Sequence, residues 1–450
     1  MNRDISPNIS LDAIRSCLEG VIPAAIATTD REGVPNISVL SQVHYMDPRH
    51  VALSYQFFNK TRRNILANPH ATLQMIDPET VAQYRMRVRY LRTETAGPLF
   101  ESMKAKLAGI ASHAGMAGVF RLLGADVFEV LGIEAVPGAT LPAPVRNRSL
   151  LAATRRSCER LSACTDLEEL LDRTVTDLRD LFGIEHAMVL MADEAAGRLY
   201  TVASLGYRAS GIGSEIALGD GVIGVAARER TAIRITHATS DYAYGRAARD
   251  SSRESGAPGE DAKEIPFPGL ATPHSQLAVP ILAGGELVGV LFAESPEAMR
   301  FCYDDEDALA TVASVLGAMV HAVRQSPAAE PAPAGDAVAE PSGAPALLHH
   351  HAADDSVFID HQYLIKGVAG AILWWLVRQH TQHARTEFSN RELRLAPCIR
   401  LPEASENLEA RLILLQRRLA ERCSVLRLEK TGRGRFRLVV QRPLALEEMG

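Results

Sequence analysis

Lys60, Arg62 and Arg63 sit together directly after an alternating strand pattern, Val51-Ala-Leu-Ser-Tyr-Gln-Phe-Phe58, and before Pro69. A short helix opening at Asn59 and closed by that proline would set three cations beside the backbone N–H groups of its first turn. Together these make a seat for a phosphate. Upstream, Gly33-Val-Pro-Asn-Ile-Ser-Val-Leu-Ser-Gln-Val-His44 reads as a turn and then a strand carrying several small polar groups. Such groups bind and orient an anion; they do not by themselves break bonds. No nucleophile triad, paired carboxylate set or metal constellation names a reaction, so catalytic residues stay unassigned. His44, His50, His70 and His113 are scattered, and a lone histidine is usually structural or exposed.

This order resembles the pyridoxamine 5'-phosphate oxidase-like split barrel over roughly residues 8–137, a family whose members mostly bind FMN. FMN needs a cationic phosphate cradle, hydrogen bonds to its ring edges and apolar cover for the ring face. The resemblance implies phosphate contacts from Asn59, Lys60 and Thr61, with Arg62 or Arg63 nearby. It implies ring-edge contacts from Asn36, Ser38, Val39 and Ser41, and places Ser54 and Gln56 toward the ribityl chain or the ring. Many oxidase members begin that second strand with an arginine; Asn36 stands there in this chain. FMN is the expected cofactor, with F420, haem or an empty site as alternatives. These barrels usually hold FMN at a dimer interface, so the resemblance also implies a homodimer.

The elements around this site must come from more than one core, because 450 residues exceed one ordinary domain. A content of 47% hydrophobic and 23% charged residues is that of a soluble globular protein, and a net charge of −6 gives no global case for nucleic acid. The N-terminus lacks the apolar core of a signal peptide, and the longest apolar run, Gly367 to Val377, falls short of the ~20 residues of a membrane span. Six scattered cysteines without a CxxC pair point to a reducing cytoplasm and away from metal clusters or disulfides.

Residues 146–182 read as connecting helices. Leu151, Thr154, Cys158 and Leu161 keep a helical period, and Thr165-Asp-Leu-Glu168 reads as a capping box. Residues 183–323 then alternate strands and helices through Leu218-Gly-Asp-Gly-Val-Ile-Gly224, a hairpin around Gly284-Gly285 and an acidic helix start, Tyr303-Asp-Asp-Glu-Asp307. This segment resembles a GAF domain, a fold that binds cyclic nucleotides, haem, bilins or small metabolites, or nothing. Gly219, Asp220, Val222, Ile223, Thr236 and Ser275 are its candidate pocket residues. Cys302, at its far end, is poorly placed for a covalent bilin.

Residues 326–353, with five prolines before Ala346, read as a disordered linker ending in a solvated His349-His-His351 tract. Residues 356–442 read as three helices and a hairpin, a layout that resembles a winged helix. From Arg385 to Arg442 there are fourteen Lys or Arg against seven Asp or Glu. Arg411, Arg418 and Arg422 on the third helix, with Lys430, Arg433 and Arg435 on the wing, are the candidate phosphate-backbone contacts.

The expected fold is multidomain α+β: a split β-barrel, a GAF α/β sheet sandwich and a small winged-helix-like α+β domain. The expected function is a cytoplasmic, homodimeric sensor away from any membrane. A flavin and a small GAF ligand would act as inputs and DNA as the output. The alternatives are a flavin-dependent oxidoreductase regulated by its other domains, and a ligand-free interaction scaffold. A flavin enzyme needs little protein chemistry beyond positioning, so the sequence leaves turnover open.

Overall fold

The computed structural model describes residues 9–19, 22, 24–40, 43–55, 59–97, 99–100, 103–104, 122–143, 149–235, 265–325, 341–399, 408–432 and 434–449. A 3-10 helix (Asp12–Leu18) precedes β1 (Ala24–Thr29), β2 (Pro35–Leu40), β3 (Val43–Asp47), β4 (His50–Tyr55), helix α1 (Lys60–Ala67), β5 (His70–Ile76), β6 (Gln83–Glu94) and β7 (Gly124–Val136). The seven strands form one antiparallel sheet in the order β2-β1-β5-β6-β7-β4-β3. Period-two alternation turns Leu73, Met75, Met86 and Val88 inward against Val51, Leu53 and Phe128, beneath Leu11, Ile14 and Leu18 of the 3-10 helix. Register shifts at Arg87/Val88 and Tyr90/Arg92 break the long β6–β7 ladder, the usual way a strand pair bends. Most of the helix expected at 98–114 lies outside the described residues.

The second unit opens with α2 (Leu150–Ser162) and α3 (Leu167–Asp180). Next come β8 (His186–Asp193), β9 (Arg198–Leu205), β10 (Glu215–Ala217), α4 (Gly221–Glu229), β11 (Ile233–Ile235), β12 (Ser275–Ala283), β13 (Glu286–Ser295) and α5 (Tyr303–Gln325). The sheet order is β10-β9-β8-β13-β12-β11. Helices α2, α3 and α5 supply the core on one face, and α4 covers the other. The cap of α3 lies one residue later than the sequence suggests. Asp166 accepts from the Glu169 N–H at 2.9 Å, because a carboxylate meets the positive helix end better than the Thr165 hydroxyl. The hairpin turns at Gly284 and Gly285, both at positive φ, as a tight two-residue loop requires.

Helix α5 is long and apolar enough to cross a membrane by length and composition. Here it buries Leu309, Val312, Leu316 and Val320 in the core of this unit. Gly317 is what lets it come so close, since a Cβ there would run into the Leu282 carbonyl of β12. Gly317→Ala should therefore destabilise the protein by about 1–3 kcal/mol as an overpacking change, read as a lower denaturant midpoint.

The third unit begins earlier and ends later than expected. It contains β14 (Ala346–His351), β15 (Ser356–Ile359), β16 (Gln362–Ile365), α6 (Gly367–His383), β17 (Glu387–Ser389), α7 (Asn390–Leu395), α8 (Leu408–Arg422), β18 (Leu426–Gly432), β19 (Arg435–Val440) and β20 (Leu444–Met449). The stretch 346–353 is thus no linker. Ala346, Leu348 and His350 alternate inward as an internal strand of the sheet β16-β15-β14-β20, with β14 parallel to β20. Proline density upstream hid that short alternation. The histidine tract is built in: His350 is buried, stacks 4.8 Å from Trp374 and bonds Asp355 at 3.0 Å. A second sheet, β17-β19-β18, stands beside α6, α7 and α8, and Ser389 and Glu392 form the expected capping box of α7.

The units are joined by packed contacts. Arg234 of β11 lies between Glu19 and Glu306, the Arg234 and Glu19 side chains being only 4% and 5% exposed. Tyr303, at the start of α5, belongs to the core of the first unit, and the Arg234 guanidinium lies 4.3 Å from its ring. The second and third units share a single apolar cluster, running from Leu161 and Val202 through Leu316 to Ile372 and Leu415.

Candidate functional site

Of the residues expected to bind a phosphorylated cofactor, Asn36, Ser38 and Thr61 lie together at the start of α1, beside its cap Asn59. Asn59 caps α1, its side chain accepting from the Arg62 N–H at 2.9 Å. That cap places Thr61 against β2, where its hydroxyl accepts from Asn36 Nδ2 at 2.9 Å and lies 2.6 Å from Ser38 Oγ. Lys60 and Arg63 are both exposed. Ser54 is half-buried on β4, while Ser41 and Gln56 lie outside the described residues. Val39 is 75% exposed on the edge strand β2, with Ile37 at 73%, so it offers an apolar surface and no polar side-chain contact.

Arg62 needs correction. Its guanidinium turns inward to pair with Asp126, donates to Thr93 Oγ1 at 2.9 Å and lies 4.1 Å from the Tyr55 ring. Thr93 in turn donates to Asp126 at 2.6 Å, and Tyr90 lies 2.6 Å from Thr93. Burial by itself would lower the Arg62 pKa, but the hydrogen bond and charge of Asp126 outweigh it and hold the group more firmly charged. Arg62 is therefore engaged within the fold. The remaining set, with charge on exposed Lys60 and Arg63 and polar groups on Asn36, Ser38 and Thr61 near the α1 N-terminus, is of the kind a phosphate would need.

The GAF-pocket candidates are not brought together. Val222 and Ile223 point into the packed core under α4, Asp220 is exposed, and Thr236 lies outside the described residues. Gly219 sits at φ +90° in the turn before α4. Ser275 is fully buried and accepts from the Phe301 N–H at 3.3 Å, toward the α5 side. Sequence reasoning missed Glu294, a 1% exposed carboxylate that accepts from Leu270 N at 2.7 Å and Gln276 Nε2 at 3.0 Å. The available signal was a charge closing the apolar run Leu287–Ala293, with Gln276 opposite it in register. Among the described residues no group of His, Cys, Asp and Glu is arranged to hold a metal.

The basic residues of the C-terminal unit are also placed differently. Arg411 is buried, paired with Asp193 and stacked 3.7 Å over Tyr200. Arg418 is buried and donates to the Leu364 carbonyl at 2.9 Å; burial, reinforced by the charge of Arg422, lowers its pKa. Lys430 pairs with Asp166 at 2.9 Å. Arg422 and Arg435 are exposed, and Arg433 lies outside the described residues. Three of the six candidates are thus occupied by protein groups: Arg411 and Arg418 because the leucine stripe and the arginines of α8 share faces that both pack, and Lys430 because its strand lies beside the start of α3.

Residues 10–131 match the family model for pyridoxamine 5'-phosphate oxidase, and residues 166–320 match that for the GAF domain. The chain is thus a multidomain α+β protein with a β-rich unit of the first kind followed by a GAF domain. No curated protein matches it. Similar solved structures include an FMN-binding protein from Syntrophomonas wolfei subsp. wolfei, 20% identical, covering 28% of this chain and 86% of that one at a TM-score of 0.25. Free methionine-R-sulfoxide reductase from Neisseria meningitidis is 20% identical, covering 39% and 90% at 0.31. HupZ from Group A Streptococcus is 21% identical, covering 30% and 100% at 0.24.

Proposed function

We propose that this chain is a cytoplasmic, homodimeric regulatory protein. Its split barrel takes FMN, its GAF domain takes a small ligand, and its C-terminal unit is a winged helix that acts on DNA. The observation that carries this reading is the physical continuity of the units. Arg234 ties the barrel to the GAF domain, and one apolar cluster runs from the GAF domain into the C-terminal unit. A ligand changes an output only if it binds two states unequally, and packed junctions of this kind let one unit feel another's state.

A bound flavin would supply reversible electron and hydride chemistry. Lys60 and Arg63 would neutralise its phosphate, and Thr61, Ser38 and Asn36 would orient the adjoining polar part. The exposed Ile37 and Val39 on edge strand β2 fit a second copy of the chain, which would also shield the ring. The order α6, β17, α7 and α8 followed by the β18–β19 hairpin supports the winged-helix reading. None of the six cysteines, all described, forms a disulfide, which fits a reducing compartment.

Charge reversal tests the cofactor step. The double variant Lys60→Glu/Arg63→Glu should lose FMN uptake by at least about a hundredfold, since two attractive charges become repulsive at a phosphate. Its thermal midpoint should stay near that of the wild type, both residues lying at the surface. Flavin fluorescence titration of the purified chain reads this directly; unchanged uptake would remove the phosphate seat.

A further inference from the structure

We infer that α8 is held sequestered by an acidic face of the GAF domain, and that binding of a nucleic-acid backbone requires its release. This rests on the DNA-binding reading above and specifies how that activity is controlled. A helix that reads or grips a duplex must present its polar face to the groove. Here that face is turned onto α3 and β9. Arg417 donates to Asp172 at 2.6 Å and to the Val202 carbonyl at 2.7 Å. Gln416 donates to Glu168 at 3.2 Å, Arg411 pairs with Asp193, and Ser210 donates to Glu421 at 2.8 Å.

The hairpin beyond α8 is held the same way, by Lys430 on Asp166. Carboxylates of the GAF domain therefore occupy Arg411, Arg417 and Lys430, three of the cations a phosphate backbone would need, while Arg422 and Arg435 stay exposed. They come from one connected surface, the first turns of α3 and the end of β8 beside β9. The contact is also incompletely closed. A shallow cleft opens between α3, α8 and the hairpin, lined by Glu168, Asn390, Gln416, Lys430, Arg435 and Phe436. Because β9 pairs with both β8 and β10, a change in the GAF sheet acts directly on the surface that holds the helix.

The test uses the full chain and two readouts, hydrogen exchange across 408–422 and anisotropy of a short mixed-sequence DNA duplex at low salt. Asp172→Lys/Asp193→Lys should speed exchange in α8 and raise duplex affinity about tenfold, with a steeper salt dependence. Asp172→Lys alone, at an exposed carboxylate, should move both readouts the same way, so the test survives misfolding of the double variant. The swap Asp172→Arg/Arg417→Asp should restore slow exchange. Unchanged exchange in both lysine variants overturns the inference. A wild-type chain that binds the duplex as tightly as the released variants, with α8 protected, overturns it while leaving DNA binding intact. Fast exchange without any gain in binding overturns the DNA reading itself.

Discussion

Arg234→Ala should destabilise the chain by about 3–5 kcal/mol, the usual cost of removing one partner from a buried ionic cluster. The substitution leaves Glu19 and Glu306 facing each other where one guanidinium had satisfied both. It also removes the cation stacked on Tyr303, the aromatic ring by which α5 enters the core of the first unit. Arg15 would stay, 5.0 Å from that ring and bonded to Asp307 at 2.8 Å, so the junction should loosen without losing every contact. Differential scanning calorimetry should then resolve two transitions where the wild type shows a more cooperative one.

The pH dependence of that variant has a definite sign. Burial raises the Glu19 pKa above its ordinary value, even with the Arg234 charge and hydrogen bond pulling the other way. A carboxyl whose folded pKa is raised binds its proton more tightly when folded. Its contribution to stability is full below the unfolded pKa and is lost as pH rises through the raised folded value. Removing Arg234 takes away the opposing pull and raises that value further. The deficit of Arg234→Ala should therefore shrink on acidification from neutral pH toward the ordinary glutamate range. Equal deficits at both ends would show that Glu19 is not the buried charge responsible.

Arg234 was legible in the sequence only as a charge inside the run Thr231-Ala-Ile-Arg-Ile235. Alternation shows which residues turn inward on a strand, but what lies beyond the sheet is a tertiary fact. Elements with local signals were readable for the same reason in reverse. The Ser389 capping box, the Gly284-Gly285 hairpin and the period-two strands of the first unit are fixed by near neighbours. β14 failed because prolines precede its short alternation and one of its two partners, β20, lies far along the chain. Helix α8 was legible, with Leu408, Leu412, Leu415 and Leu419 inward as read; the surroundings of its arginines were not. Its arginines follow a helical period that suits a groove-facing surface, yet the same period serves a helix packed on several sides. Nothing local tells a phosphate from Asp193 or Asp172.

The same ambiguity governs Arg62 and Asp126, where the second large effect is expected. Asp126→Ala should cost about 3–5 kcal/mol, because it strands a guanidinium whose partners are all protein groups. The two side chains are 12% and 7% exposed, and Thr93 and Tyr90 complete the network around them. Arg62→Met should cost less, since an unbranched apolar chain fills much of the same space and Thr93 still donates to Asp126. Lys60 and Arg63, one residue to either side of the Thr61–Arg62 pair, should behave oppositely, losing FMN uptake with little loss of stability. Urea unfolding and flavin titration on the same set of variants separate these roles. If Arg62→Met unfolds normally but loses the flavin, Arg62 belongs to the phosphate seat and its pairing with Asp126 is not its main role. If stability falls while the remaining folded protein still takes up FMN, the helix start divides its cations by direction: Arg62 inward to hold β4, β6 and β7 together, Lys60 and Arg63 outward for the anion.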